Sequence, residues 1–154
     1  MSSAVPSQAP VARAILQERD VPPPVVAFVR AVNSMDHAAL VKLFALEALV
    51  NDQLRDFWGL AAISEWLDSE VVGARLQLKV LGTVRHFGDI VLTAEVAGDF
   101  DKTGLPTPLI LDFHFSIHGD LICRLIILCK LQADASPEIR VPPPGPSSTA
   151  ERAQ

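Results

Sequence analysis

The chain has 154 residues, a formal net charge of −5 at pH 7 and 49% hydrophobic residues, which together predict one soluble domain. The two signs of charge are interspersed, so we expect neither a nucleic-acid partner nor a membrane surface, because both require clustered cations. No apolar run has the length and flanks of a secretory signal or a membrane span.

The two ends of the chain differ in composition from its middle. Ten of the 12 prolines lie outside residues 25–132. Segment 1–24 and tail 133–154 are rich in Pro, Ser, Ala and Gln, a composition that buries too little apolar area to offset the entropy of ordering. We therefore predict disorder at both ends and one folded domain over 25–132.

Apolar residues at helical spacing predict three helices in the first half of that domain. Three prolines introduce the first helix, which carries Phe28 on its apolar face, and Asp36 can cap a second that extends to about Glu47. A short strand, 49–52, and a polar loop follow. The third helix begins after Gly59 and ends at Gly73.

From residue 75 the apolar period changes to two, which predicts four long strands, over about 75–85, 90–98, 109–117 and 121–130. Three helices followed by antiparallel strands predict an α+β fold, with the helices packed on a strongly curved, mostly antiparallel sheet that forms a cone with a pocket. The outer face of the sheet has balanced charges and is predicted to pair two copies into a homodimer. Its polar residues are Lys79, Arg85, Glu95, Asp112, His114 and Arg124.

The two cysteines are Cys123 and Cys129, six residues apart on the last predicted strand. At ~3.3 Å per residue they lie roughly 20 Å apart, too far for a disulfide. We expect free core thiols in a reducing, cytoplasmic compartment.

Six short segments, taken in order, resemble the SnoaL-like branch of the nuclear transport factor 2-like superfamily. They are FVRAVNS (28–34), LF (43–44), VND (50–52), WGLAAI (58–63), FHF (113–115) and GDLI (119–122). The resemblance covers residues 25–130 and implies a conical α+β fold, a deep pocket and usually a homodimer through the sheet. The superfamily includes ketosteroid isomerases, polyketide cyclases, epoxide hydrolases, dehydratases and small-ligand binders, so the fold does not choose the function.

In the isomerases of this superfamily the general base is a carboxylate after the short strand that follows helix two, and the resemblance places Asp52 there. A carboxylate beside an apolar cavity can remove a proton next to a carbonyl. The alternative is that Asp52 is a turn residue or pairs with Arg55.

The isomerases also stabilise the enolate oxygen with two hydrogen-bond donors, a phenol and a neutral carboxylic acid. Each such donor lowers the activation free energy by about 2.7 to 4 kcal/mol. The matching positions here are Phe28 and Leu111, so both donors are missing and steroid-type isomerisation is disfavoured. A register slip of one residue would turn Asp112 into the cavity, and steroid-type isomerisation would then again be a candidate reaction. The chain also lacks the Arg-x-Asp of the epoxide hydrolases and the acid on the last strand expected of a polyketide cyclase.

The four histidines, His37, His86, His114 and His118, match no metal motif, and we predict neither a metal nor a cofactor. His86 has the apolar parity of its strand, so it is either a core imidazole or a pocket acid, base or donor that meets Asp52 at the mouth of the cone. The two tryptophans either pack or serve as handles in the pocket.

We therefore predict a pocket for a small apolar or amphipathic ligand. Its expected lining is Phe28, Trp58, Trp66, Leu111, Phe113 and Phe115. The alternative is an isomerase, cyclase or dehydratase-type enzyme with Asp52 as general base on a small carbonyl substrate and His86 as its catalytic partner. A third interpretation is a structural dimerisation unit, which a cavity below about 300 Å³ would favour.

Overall fold

A computed structural model describes residues 13–130. In chain order its elements are β1 (Arg13–Ile15), a 3-10 turn (Glu18–Asp20), α1 (Pro23–Asn33), α2 (His37–Val41), β2 (Phe44–Asp52), β3 (Arg55–Trp58), α3 (Gly59–Trp66), a π-helical turn (Leu67–Val72), β4 (Gln77–His86), β5 (Asp89–Ala97), β6 (Ile110–His118) and β7 (Leu121–Cys129).

The expectation of disorder over 1–24 is wrong for residues 13–24. β1 pairs antiparallel with β4, and α1 starts at Pro23, so this stretch covers part of an edge of the sheet. Residues 1–12 and the predicted tail 133–154 lie outside the described residues.

The predicted α+β architecture is confirmed. Seven strands form one open sheet in the order β1-β4-β5-β6-β7-β2-β3. All neighbours are antiparallel except β2 and β7, which run parallel. The helices pack on one face, called here the concave face, and a single apolar core lies between them and the sheet; the other is the convex face.

The second helix is shorter than predicted. Asp36 does cap it, since its Oδ1 accepts a hydrogen bond from the Ala39 backbone N–H at 3.0 Å. The helix nevertheless ends at Val41, and Phe44 already pairs with Ile122 of β7. Strand pairing has overridden helical spacing, so the strand leading to Asp52 has nine residues.

A β-bulge in β4 changes which side chains face the core. The register shifts between Val80 and Gly82, which makes Leu81 an extra residue. Beyond it, Thr83 pairs with buried Leu92 and is itself buried. The regular alternation assumed from sequence is therefore inverted after residue 81.

β6 has the predicted orientation. Phe113 and Phe115 are buried on the concave side, while Asp112 pairs with Thr93 on the convex side and lies 3.7 Å from the Lys130 ammonium. The register slip that would have turned Asp112 inward is absent.

No helix among residues 13–130 is long and apolar enough to cross a membrane.

Candidate functional site

An apolar cavity of about 200 Å³ lies between the helices and the concave face. Most of its walls are aliphatic or aromatic, and the loop between β5 and β6 contributes part of the rim. The described lining residues are Phe28, Val32, Asp52, Gln53, Trp66, Glu70, Val71, Leu76, Leu78, Val96, Phe100, Leu105, Leu109, Leu111, Phe113, Ile127 and Cys129.

Asp52 provides the carboxylate of this cavity, at the end of β2. It pairs with buried Ile127 in the parallel ladder to β7, which places it on the concave side. Its Oδ2 accepts hydrogen bonds from Trp66 Nε1 at 3.0 Å and from Arg55 Nη2 at 3.2 Å. Among the described residues Oδ1 has no hydrogen-bond partner, and the side chain is 17% exposed. Asp52 therefore pairs with Arg55, as the second interpretation expects, and it also lines the cavity.

Arg55 links Asp52 to Glu70 at the mouth of the cavity. Its guanidinium donates to both oxygens of Glu70, at 2.6 and 3.0 Å, which is a bidentate pair. The hydrogen bond to Glu70 and the charges of both carboxylates raise the pKa of Arg55 above its ordinary value. The guanidinium is therefore a permanent cation whose charge is shared mainly with Glu70.

A tight turn holds this cluster in place. Gln53 and Leu54 have φ of 54° and 74°, as a two-residue type I′ turn requires. Two hydrogen bonds stabilise the turn. The Asn51 side chain accepts one from the Leu54 N–H at 3.1 Å, and the Gln53 side-chain amide donates the other to Ile127 O at 3.1 Å. The sequence predicted only a polar loop here, because neither turn residue is the glycine that such a turn favours.

Four of the six predicted wall residues line the cavity, namely Phe28, Trp66, Leu111 and Phe113. Phe115 is not among the lining residues, since it lies fully buried behind Phe28 with ring centroids 5.2 Å apart. Trp58 pairs with Leu49 on the convex side and is 66% exposed. The expectation that Phe115 and Trp58 contact a ligand in this cavity is wrong.

His86 lies away from the cavity. Because of the bulge in β4, it shares the convex face with Asp89, and its ring lies against Phe87 at 4.7 Å. The predicted meeting of Asp52 and His86 at one mouth is therefore wrong. Arg85, predicted on the outer face, changes sides for the same reason and pairs with buried Ile90.

Sequence reasoning missed several lining residues. Glu70 lies in the segment predicted as the third helix and Phe100 lies between two predicted strands, and neither carries a sequence signal for a cavity wall. Cys129 was expected to be a core thiol, but it lies half-buried on the cavity wall; Cys123 is also half-buried, and both are free. The inward pairing of Cys129 with Leu111 could have been found from the alternation along β7.

Residues 13–130 contain no group of three or more His, Cys, Asp or Glu side chains that could hold a metal ion. A second, wider groove of about 730 Å³ lies between α1 and the bulged part of β4. Its described lining residues include one acidic and one basic side chain, Glu18 and Arg30.

No family model matches the chain, and no curated protein matches it. Solved structures do. A protein of Sinorhizobium meliloti provisionally named a polyketide cyclase is 27% identical, with a TM-score of 0.65 over 73% of this chain and 100% of that one. A ketosteroid isomerase-like protein of Catenulispora acidiphila, in complex with trimethylamine, is 20% identical, with a TM-score of 0.58 over 70% and 85%. A computationally designed 17-OHP binder is 14% identical, with a TM-score of 0.56 over 70% and 90%.

The fold and the cavity thus define an α+β pocket protein in which helices close the concave side of one curved sheet. Together with these neighbours, they confirm the fold implied by the resemblance to the nuclear transport factor 2-like superfamily.

Proposed function

We propose that this chain binds a small, largely apolar or amphipathic molecule in the cavity, with Asp52 as the polar anchor. The observation that carries the proposal is a carboxylate oxygen with no partner among the described residues in a mostly apolar cavity. A carboxylate oxygen in such surroundings lowers the stability of the fold unless a ligand or a water molecule donates a hydrogen bond to it.

The size of the cavity limits the ligand. At about 200 Å³ it is smaller than the usual ligand site of 300 Å³ or more, which by itself favours a structural unit. An apolar cavity of about 150 Å³ nevertheless holds benzene, so a molecule built on one ring fits. The proposal of a binding role rests on Asp52, because its contacts with Arg55 and Trp66 leave Oδ1 without a partner among the described residues.

The similar structures support a binding role without selecting a reaction. One is named a cyclase, one holds trimethylamine, and one was designed to bind 17-OHP. The same architecture therefore carries both catalytic and binding sites.

Cys129 offers a direct test because it lines the cavity and Cys123 does not. Saturating toluene is expected to slow alkylation of Cys129 by iodoacetamide, measured by mass spectrometry, while Cys123 serves as the internal reference. Filling the cavity with Leu111→Trp abolishes the protection. Equal alkylation of Cys129 with and without toluene, together with no small molecule retained in native mass spectrometry, would leave the structural unit as the better interpretation.

A second candidate is an isomerase, cyclase or dehydratase-type enzyme with Asp52 as general base. The free Oδ1 favours it, since a base needs an oxygen that no neighbour occupies. The missing oxyanion donors count against it: Phe28 and Leu111 line the wall, and the amide of Gln53 is already bound to Ile127. Deuterium exchange next to the carbonyl of cyclohexanone, followed by NMR, tests this role. Exchange that is lost in Asp52→Asn supports it, and its absence in the wild type contradicts it.

We also propose a homodimer through the convex face, in a cytoplasmic protein. The face carries an apolar centre and charges of both signs, which a two-fold axis can bring into opposition. Leu128 is 38% exposed there, in register with Asp112. Leu128→Asp is expected to lower the mass measured by light scattering to that of one chain, whereas Leu54→Asp, on the remote turn, does not. A wild-type mass of one chain would refute the dimer.

A further inference from the structure

We propose that the ligand of this cavity is a small organic cation, an amine protonated at neutral pH with one apolar ring or chain, bound through its ammonium group to Asp52 Oδ1. This inference rests on the proposed binding function and names its ligand class.

The charges at the mouth of the cavity leave Asp52 only partly compensated. Both oxygens of Glu70 are occupied by Arg55, whereas Asp52 receives a single longer contact from the same guanidinium. The three groups together carry one net negative charge. Trp66 donates a neutral hydrogen bond to Oδ2, which orients the carboxylate and adds no positive charge. The remaining negative charge therefore resides on Asp52.

The residues that line the cavity also favour a cationic ligand. Among the described lining residues there is no Lys, Arg or His, and the cation at the mouth, Arg55, is already paired with Glu70 and with Oδ2 of Asp52. The side chains of Phe28, Phe113 and Trp66 line the same space, and aromatic rings attract organic cations that lie over their faces. Lys102 is a neighbouring cation, but it lies over the ring of Phe100 at 4.7 Å and donates to Gly98 O.

A neutral hydroxyl could also donate to Oδ1, but it would leave the buried charge unneutralised. An anionic ligand would place a second negative charge beside Asp52 in an apolar site. The expected order of affinity for ligands of one shape is therefore ammonium, then alcohol, then carboxylate.

Benzylamine, benzyl alcohol and benzoate test that order, because they share a ring small enough for the cavity and differ in the charged group. Titration followed by NMR is expected to show benzylamine binding at least about tenfold more tightly than benzyl alcohol, with benzoate weakest. Asp52→Asn is expected to reduce benzylamine affinity about tenfold and to change benzyl alcohol affinity much less, because an amide oxygen can still accept a hydrogen bond from a hydroxyl. Asp56→Asn is the matched control, since Asp56 sits on the same hairpin but pairs with Asn51 on the convex side.

The possible results distinguish a failure of the cation inference from a failure of the proposed binding function. Equal affinity of the wild type for benzylamine and benzyl alcohol, with both protecting Cys129, would overturn the cation inference and leave the binding function standing. Failure of all three to bind or to protect Cys129 would overturn both. Retained benzyl alcohol binding shows that Asp52→Asn is folded. A salt-insensitive affinity of the wild type for benzylamine would contradict the proposal without use of any variant.

Discussion

Trp66→Phe isolates the hydrogen bond that orients the candidate anchor. The indole is 2% exposed and its Nε1 donates to Asp52 Oδ2 at 3.0 Å. A hydrogen bond to a charged group contributes about 1.5 to 3 kcal/mol. The lower half of that range applies because Asp52 keeps its contact with Arg55 and is 17% exposed.

The smaller ring also leaves space behind. At about 24 cal/mol per Å³, an unfilled volume of roughly 40 Å³ adds about 1 kcal/mol. Trp66→Phe should therefore lower the free energy of unfolding by about 2 to 3 kcal/mol. Urea unfolding followed by circular dichroism measures this as a lower midpoint with an unchanged slope.

Trp58→Phe is the matched control because Trp58 is 66% exposed, and it should change the free energy of unfolding by less than about 0.5 kcal/mol. A double-mutant cycle between Trp66→Phe and Asp52→Ala should give a coupling energy of about 1 kcal/mol or more. A coupling below about 0.3 kcal/mol, or equal effects of the two tryptophan variants, would refute the orienting role of Trp66.

Three further substitutions test local features. Leu54→Gly should raise the free energy of unfolding by about 0.5 kcal/mol, because Leu54 has φ of 74° and is 83% exposed. Asn33→Ala should lower it by about 2 kcal/mol, since the Asn33 side chain bonds both the N–H and the C=O of Leu78 at 2.7 and 3.0 Å. Asp36→Ala should cost about 1 kcal/mol through the lost cap on α2. Urea midpoints measure all three.

Each of these has a matched control. Leu54→Ala trims the same side chain but keeps the strained backbone, so a gain equal to that of Leu54→Gly would contradict the strain argument. Ser34→Ala removes an exposed bond to Arg30 O and should have little effect beside Asn33→Ala. Asp36→Ser keeps a capping oxygen and should retain most of the stability, and a loss equal to that of Asp36→Ala would count against the cap.

The sequence predicts the fold well where the spacing of apolar residues and the residues that end an element agree. The four long strands, the third helix and the inward faces of Phe113 and Phe115 follow from alternation and from glycine stops. The second helix was overextended because Phe44 fits a helical spacing, while its pairing with Ile122 is a contact between residues far apart in the sequence.

The candidate site was only half predictable. Asp52 was found through the resemblance, and Phe28 and Trp66 through apolar spacing. The Arg55–Glu70 pair depends on a hairpin and a π-helical turn that meet in space, and no local pattern encodes that meeting. The misplacement of His86 has one cause, a single extra residue that strand alternation cannot reveal.

That extra residue, Leu81, also governs how the chain can be compared with its relatives. Any correspondence with a protein that lacks it requires a one-residue gap at this point, and a gap placed elsewhere would equate core positions with surface positions throughout the end of β4. Because Thr83 to His86 keep their partners on β5 when Leu81 is removed, its deletion would leave a regular strand in which each of these four residues keeps the face that it has now.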